Sequence, residues 1–364
     1  MKNYICFVLI LILLSCANVI PPNGGPKDID SPIFINSIPS NQSIDFKSNL
    51  IRLYFNENVV IKNMQQVHSL PDSDLIKKIN SKGRVLEINL KPKLKLNTTY
   101  VIEFNGSIVD LNEGNELEGF KYVFSTGDKI DSSVIYGKVS ELEYNKPVEN
   151  SLISLYSGNV MEKFDSIVKN QKPDFFTFSN KYGEYNYANL KNGLYTIICI
   201  KDENLNLKYE IDEFVSMPGL IELKDSIEND MKIFLDERST YLKMETDTGQ
   251  SVSLNKQDSI AKNLPEYGLL NLFFNHKLYD QKSYIGQIIK EKRIIQTFYI
   301  NDSIVTIDSL ESGAYQLRII NDLNKNNQWD TGNIKTLKQP EEIFFFKDSI
   351  QIRVNWELDV NVDI

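Results

Sequence analysis

Histidine is almost absent from this chain: His68 and His276 are the only two among 364 residues. That count excludes a His-rich metal centre. No G-x-S-x-G stands anywhere, and neither His lies beside a nucleophile motif, so a hydrolytic triad has no visible base and nucleophile. Both are expected as surface residues, His68 within a polar loop and His276 just after a strand. Basic residues are in the minority, 40 against 49 acidic ones, for a net charge of −9. The electrostatic footprint of sequence-independent nucleic-acid binding is therefore missing. Long apolar runs are missing too. The longest, residues 4–14, would span roughly 16 Å as a helix, about half of a bilayer core. No amphipathic helix of convincing length appears. What the chain does have is the 41% hydrophobic and 24% charged balance of a globular protein, with length for two or three domains.

The apolar run follows Lys2 and has the shape of a secretory signal. It ends in Leu13-Leu14-Ser15-Cys16. This resembles the bacterial lipobox, which implies cleavage before Cys16, a palmitate-type lipid attachment at Cys16 and a lipoprotein. Residues 1–15 are then the signal peptide and 16–27 a lipid-anchored tether. Pro21-Pro22-Asn23-Gly24-Gly25-Pro26 supplies stiffness without side chains to pack. Ala17 follows the Cys with no acidic run, which by resemblance to sorting signals implies the outer membrane, facing the periplasm, with the cell surface as the other option. Of the three cysteines, Cys6 leaves with the signal and Cys16 carries lipid. Cys199 remains in the apolar run 195–200 and reads as a buried, inert core residue.

Beyond the tether, residues 51–55, 85–90, 99–104 and 122–125 alternate or run apolar between Asn, Gly, Lys and Pro clusters. Short strands without regular helices predict an all-β chain of β-sandwiches. Asp30-Ser31-Pro32, Leu53-Tyr54-Phe55-Asn56-Glu57, residues 94–100, Ile108-Val109-Asp110, Gly114-Asn115 and Phe124-Ser125-Thr126-Gly127 stand in order. They resemble the bacterial Ig-like domain of the SbsA type, over residues 28–127. The chain also looks like Bacteroidota lipoproteins that open with "GGPKD", as residues 24–28 do. Asp110-Leu111-Asn112-Glu113-Gly114-Asn115 reads as a hairpin loop.

A second boundary falls near residues 128–133, and past it the chain repeats. Leu190, Gly193, Tyr195, Asp202, Asn204 and Asn206 recur as Leu310, Gly313, Tyr315, Asp322, Asn324 and Asn326, always 120 residues on. Two related β-sandwiches are predicted, over residues 133–236 and 237–364. The first looks like the prealbumin-like modules that resemble carboxypeptidase regulatory domains and Cna B-type stalks. The second is similar through its last two strands.

The repeated loops gather the candidate ligands. Asp322, Asn324, Asn326 and Asp330, and in the first copy Asp202, Asn204, Asn206 and Glu213, carry oxygen side chains at spacings that suit calcium. Against this, Leu207 and Asn327 occupy the position where the sharp turn wants Gly, and Asn333 stands where the second copy needs a Glu. The competing reading is a loop whose side chains satisfy their own backbone. No other cofactor is expected. The whole reads as a non-catalytic envelope lipoprotein with protein partners, a binding or scaffolding module. A glycan-binding accessory lipoprotein is the alternative and an envelope hydrolase the third option.

Overall fold

The structure, a computed structural model, describes residues 27–239, 267–275, 283–291, 293–326 and 328–363. Cys16, the tether to residue 26 and His276 lie outside the described residues. No helix among them is long and apolar enough to cross a membrane.

The first module holds nine strands: β1 (Phe34–Ile38), β2 (Leu50–Phe55), β3 (Val59–Ile61), β4 (His68–Leu70), β5 (Ile76–Lys82), β6 (Val85–Leu90), β7 (Thr99–Glu103), β8 (Ile108–Asp110) and β9 (Lys121–Ser125). One sheet runs β1-β2-β6-β5, a second β4-β7-β9, and β3 pairs with β8. Alternation in β2 and β6 turns Ile51, Leu53, Phe55, Leu86 and Ile88 inward to meet Tyr100, Ile102 and Phe124 from the other sheet. Tyr100 stacks on Phe124 at 5.1 Å between ring centroids. The expected loop at residues 110–115 forms, but it does not join two paired strands. β8 pairs with β3, and only the Val109–Glu116 bridge folds the chain back before β9 enters the other sheet. Asp110 holds this loop closed. Its carboxylate accepts the N–H groups of Asn112, Glu113, Gly114 and Asn115 at 2.6–3.2 Å.

The second module comprises β10 (Ser133–Glu141), β11 (Leu152–Ser157), helix α1 (Phe164–Asn170), β12 (Phe175–Phe178), β13 (Glu184–Leu190), β14 (Gly193–Ile200), β15 (Phe214–Ser216), β16 (Gly219–Leu223), β17 (Ser226–Glu228) and β18 (Met231–Leu235). The third comprises β19 (Tyr267–Phe274), β20 (Ser283–Lys290), β21 (Arg293–Tyr299), β22 (Ile304–Glu311), β23 (Gly313–Asp322), β24 (Ile343–Phe345), β25 (Ile350–Ile352) and β26 (Glu357–Val362).

The two share most of their strand pairings. In the second module β13 pairs β10, β12 and β14 flank β11, and β15 and β16 both pair β14. In the third, β22 pairs β19, β21 and β23 flank β20, and β24 and β25 both pair β23. Each module closes with its last strands parallel to its first, β17 and β18 on β10 and β26 on β19. The likeness therefore extends well beyond the two strands that the sequence relates. It is not complete: β15 also pairs with β18, which joins the second module into one nine-stranded sheet, whereas the third forms a three-stranded and a five-stranded sheet. Helix α1 is a further difference. It lies in the segment between β11 and β12, where only residues 291 and 292 separate β20 from β21 in the third module.

Equivalent faces of the two modules feed one continuous core. β11 and β14 are buried on both faces. Ile153, Leu155, Ile197 and Cys199 face the interior of the second module, whereas Leu152, Tyr156, Ile198 and Ile200 face a cluster that also holds Phe164, Val168, Phe234, Ile285, Ile320 and Ile343. Leu70 of the first module joins this cluster. His68 is not the loop residue expected. It sits in β4, half-buried, with its ring edge-on to Phe176 at 4.8 Å, and burial lowers its pKa.

Candidate functional site

The loops that carry the repeated Asp and Asn residues each reach the core shared by the last two modules. After β14 and β23 the chain leaves a buried strand and must turn while its backbone donors are still out of water. Asp202 and Asp322 start each turn from buried positions. In the first loop Asn206 N–H donates to Asp202 Oδ1 at 3.2 Å and to Asn204 Oδ1 at 3.0 Å, and Lys208 N–H to Asn206 Oδ1 at 2.8 Å. In the second, Asn326 N–H donates to Asp322 Oδ1 at 3.2 Å and to Asn324 Oδ1 at 3.0 Å, and Gln328 N–H to Asn326 Oδ1 at 2.8 Å. The same hydrogen bonds recur, one for one.

Each loop is closed by a buried glutamate. Glu213 accepts the N–H groups of Glu203 and Glu210 at 3.1 and 2.9 Å. In the second loop the positions 120 residues on, Leu323 and Asp330, donate to Glu341 at 2.8 and 3.0 Å. Glu341 thus does in the second loop what Glu213 does in the first. It stands eight residues beyond Asn333, the position that fixed spacing points to, because a turn at residues 333–338 is inserted ahead of it. Leu207 adopts the left-handed conformation at φ 62° without being glycine, and its side chain packs on the shared core. Burial first, then Asp202 and Glu210, push the Glu213 carboxyl up to about 7. In the geometry described, Asn206 Nδ2 donates to Glu210, and the Asn324 and Asn326 amides donate to Asp330. Among the described residues no group of three or more His, Cys, Asp or Glu draws together as a metal cluster.

Both loops also deliver an aromatic ring, Tyr209 and Trp329, 120 residues apart, to the shared core. Tyr209 N–H donates to Val168 O of α1 at 2.9 Å, and Trp329 Nε1–H to Glu341 O at 3.1 Å.

The second loop is fastened to the second module by residues that spacing alone does not reveal. Thr331 Oγ1–H donates to Leu235 O, Ile334 N–H to Asp236 Oδ2 at 3.0 Å, and Asn333 Nδ2 to Glu237 Oε1 at 2.7 Å. Gly332 lies so close to Phe234 that a Cβ there would stand 2.7 Å from the ring. Arg238 clamps Asp236 bidentately at 2.8 and 2.9 Å and reaches Asp165 of α1 at 3.0 Å. Burial raises the Asp236 and Asp165 carboxyls, but their charged hydrogen bonds outweigh it and hold both below the usual range. Across the seam the buried Arg318 donates through Nε to Gln287 Oε1 at 2.6 Å and through Nη1 to Glu143 O at 2.8 Å. An open groove of about 520 Å³ follows the seam, lined in part by Met217, Met231, Phe234, Pro340, Ile343 and Phe344.

Perturbed titratable groups are where catalytic chemistry is looked for. Here they are ties: Asp110 closes a loop, Glu213 another, and Arg238 with Asp236 and Asp165 binds a helix to a module terminus. Cys199 is fully buried, and burial pushes its thiol up to about 12, far from a reactive thiolate.

Residues 28–126 match the family model of the bacterial Ig-like domain. The match covers the first module only. No curated protein matches the chain. Among solved structures, the minor pilin GBS52 of Streptococcus agalactiae is 13% identical, with 64% of this chain and 94% of that one covered and a TM-score of 0.23. The TIE protein of Bacillus anthracis is 12% identical over 94% of this chain and 59% of its own, at 0.20. A DUF3823 family protein of Bacteroides uniformis is 8% identical over 59% and 98%, at 0.21. Identities and scores this low transfer no role to this chain.

Proposed function

We propose that the protein is a non-catalytic scaffold of a bacterial cell envelope, held by lipid at Cys16, whose last two modules act as one rigid body presenting the seam groove to a protein partner. The observation that carries this is the docking of residues 331–338 onto residues 234–238, which joins the modules through polar ties as well as core. Rigid presentation lowers the ordering cost of binding, and an apolar groove with polar edges suits a partner's side chains. Outer-membrane attachment facing the periplasm belongs to the same reading. The test is crosslinking in intact cells with a tag after Ile364, comparing the wild type with Gly332→Leu. Specific envelope proteins captured by the wild type and lost from the variant at equal abundance support the scaffold. Equal capture by both, or none, counts against it. The anchor has its own test: Cys16→Ser is expected to stay full-length and leave the membrane fraction. The glycan alternative needs aromatics on one face. Exposed Tyr136, Tyr182 and Tyr299 lie on different elements of two modules, and Tyr267 and Trp356 stand on neighbouring segments, with Asn355 N–H donating to Tyr267 O at 3.0 Å.

A second reading concerns calcium. Glu341 completes in the second loop the oxygen set that Glu213 completes in the first, and Asp202 with Glu210 crowds negative charge around Glu213. Hard oxygen donors of this kind suit Ca²⁺. Binding would draw Glu210 and Asp330 away from the asparagine amides, which would turn their oxygens inward. Calcium is expected to raise the melting temperature and Asp322→Ala to reduce that gain. Superimposable melts in calcium and chelator would leave the loops as self-closed turns.

A further inference from the structure

The N-terminal edge of the first module inverts the usual pattern of a strand. β1 buries Ser37, whose hydroxyl has no hydrogen-bond partner, and turns isoleucines outward. Ile29, Ile33, Ile35, Ile38 and Ile44 are 82%, 63%, 59%, 58% and 48% exposed. A bulge between Phe34 and Asn36 sets the register. A one-residue slip exchanges the faces of a strand, so the pairing keeps a serine inside and isoleucines outside.

Apart from Ile29, these residues belong to the segment that runs along the free edges of the two sheets. β1 lies on the free edge of β2. After Pro39 the chain crosses to the free edge of β9, where Gln42 N–H donates to Val123 O and Ser125 N–H to Ser43 O. Tyr122 Oη–H fixes the crossing by donating to Pro39 O at 2.9 Å. The segment from residue 33 to 46 thus closes both sheets on one side. The chain enters this edge from residues 28–30, at the end of the module where Asn115 Nδ2 donates to Asp28 O and Asp30 O at 3.1 and 3.0 Å.

We propose that this isoleucine edge rests on the lipid surface that carries the acyl chains of Cys16, so that the first module lies against the bilayer. The proposal builds on the anchored reading above. Ten residues lie between Cys16 and Lys27, and the eleven steps reach at most about 40 Å at roughly 3.6 Å per residue. A short tether keeps the edge at high effective concentration over the bilayer, and apolar side chains gain from entering its interface. Burial first, then Asp110, Asp28, Glu113 and Asp30, raise the Glu57 carboxyl, so the charge beside Ile29 is acidic, while Lys27, Lys47 and Lys121 are exposed as well. With both signs present, the contact is apolar and does not require anionic lipid.

The experiment places a fluorophore on Ile35→Cys and, separately, on Lys347→Cys in the third module. The mature lipidated chain is reconstituted in phosphatidylcholine vesicles with and without nitroxide-bearing lipid. The added thiol is the reactive one, because Cys199 is fully buried and Cys16 is blocked by its thioether. Vesicle flotation reads the anchor, and quenching reads the edge. Flotation with loss of emission at residue 35 and none at residue 347 supports the proposal. Flotation with no loss at residue 35 overturns it and leaves the anchor standing. The same holds if emission at residue 35 shifts to the blue without quenching, the mark of a protein occupant such as a second copy. A chain that fails to float removes the anchor reading, and this proposal with it.

Discussion

Arg318 occupies in the third module the place that Ile198 holds in the second, and Gln287 the place of Ser154. The seam thus carries a polar pair on one side where the other side is apolar or small. Truncating Arg318 to Ala leaves Gln287 Oε1 and Glu143 O without their donor and opens a cavity, a cost of about 2–4 kcal/mol. Restoring an apolar pair, as Gln287→Leu with Arg318→Ile, is expected to regain most of it. Urea unfolding midpoints of the single and double variants decide this. Carboxylates supply two opposite pH dependences. Glu213 is raised to about 7 in the folded chain, so its contribution is present at low pH and declines as pH rises from its ordinary 4.5 through 7. Asp110, Asp165 and Asp236 are held below their ordinary value, so their contribution is full near neutrality and is lost as pH falls. Glu213→Gln keeps an acceptor and drops the charge. With chelator present, its melting temperature should fall less than that of the wild type between about pH 5 and pH 8.

At the scale of elements, Gly332 shows how closely the second loop sits on β18. A methyl group there would meet Phe234 at 2.7 Å and Pro340 at 2.9 Å. Gly332→Ala should cost about 1–3 kcal/mol, seen as a lower melting temperature. Among the six repeated positions, the Tyr, Asp and Asn residues were legible because each makes a hydrogen bond that few residue types can make. Tyr195 and Tyr315, for instance, each donate to a carbonyl four residues back, at 2.7 and 2.8 Å. The strands around them need only apolar alternation, so their sequences drifted until the shared topology left no trace in spacing. Glu341 escaped because the inserted turn breaks the fixed offset. Helix α1 escaped because seven residues carry too little periodicity to be told from a loop. β1 was obscured for the opposite reason: its exposed isoleucines read as core when only the composition is seen.

For the molecule as a whole, the shared cluster predicts that the second and third modules melt together. One calorimetric transition should contain both, and Gly332→Leu should split or broaden it. The first module touches this unit through Leu70 and His68, a smaller contact. A further consequence follows from the parallel closing strands. β26 pairs with β19 along six positions, from Leu269–Glu357 to Phe274–Val362, partners that lie 88 residues apart. Synthesis delivers β19 long before β26. Until the final strand arrives, one flank of β19 is an open edge that any passing strand can occupy. The module therefore depends, while it is being made, on whatever holds that edge apart from its neighbours, and a nascent chain is at its most aggregation-prone in the interval after β19 has emerged and before β26 has.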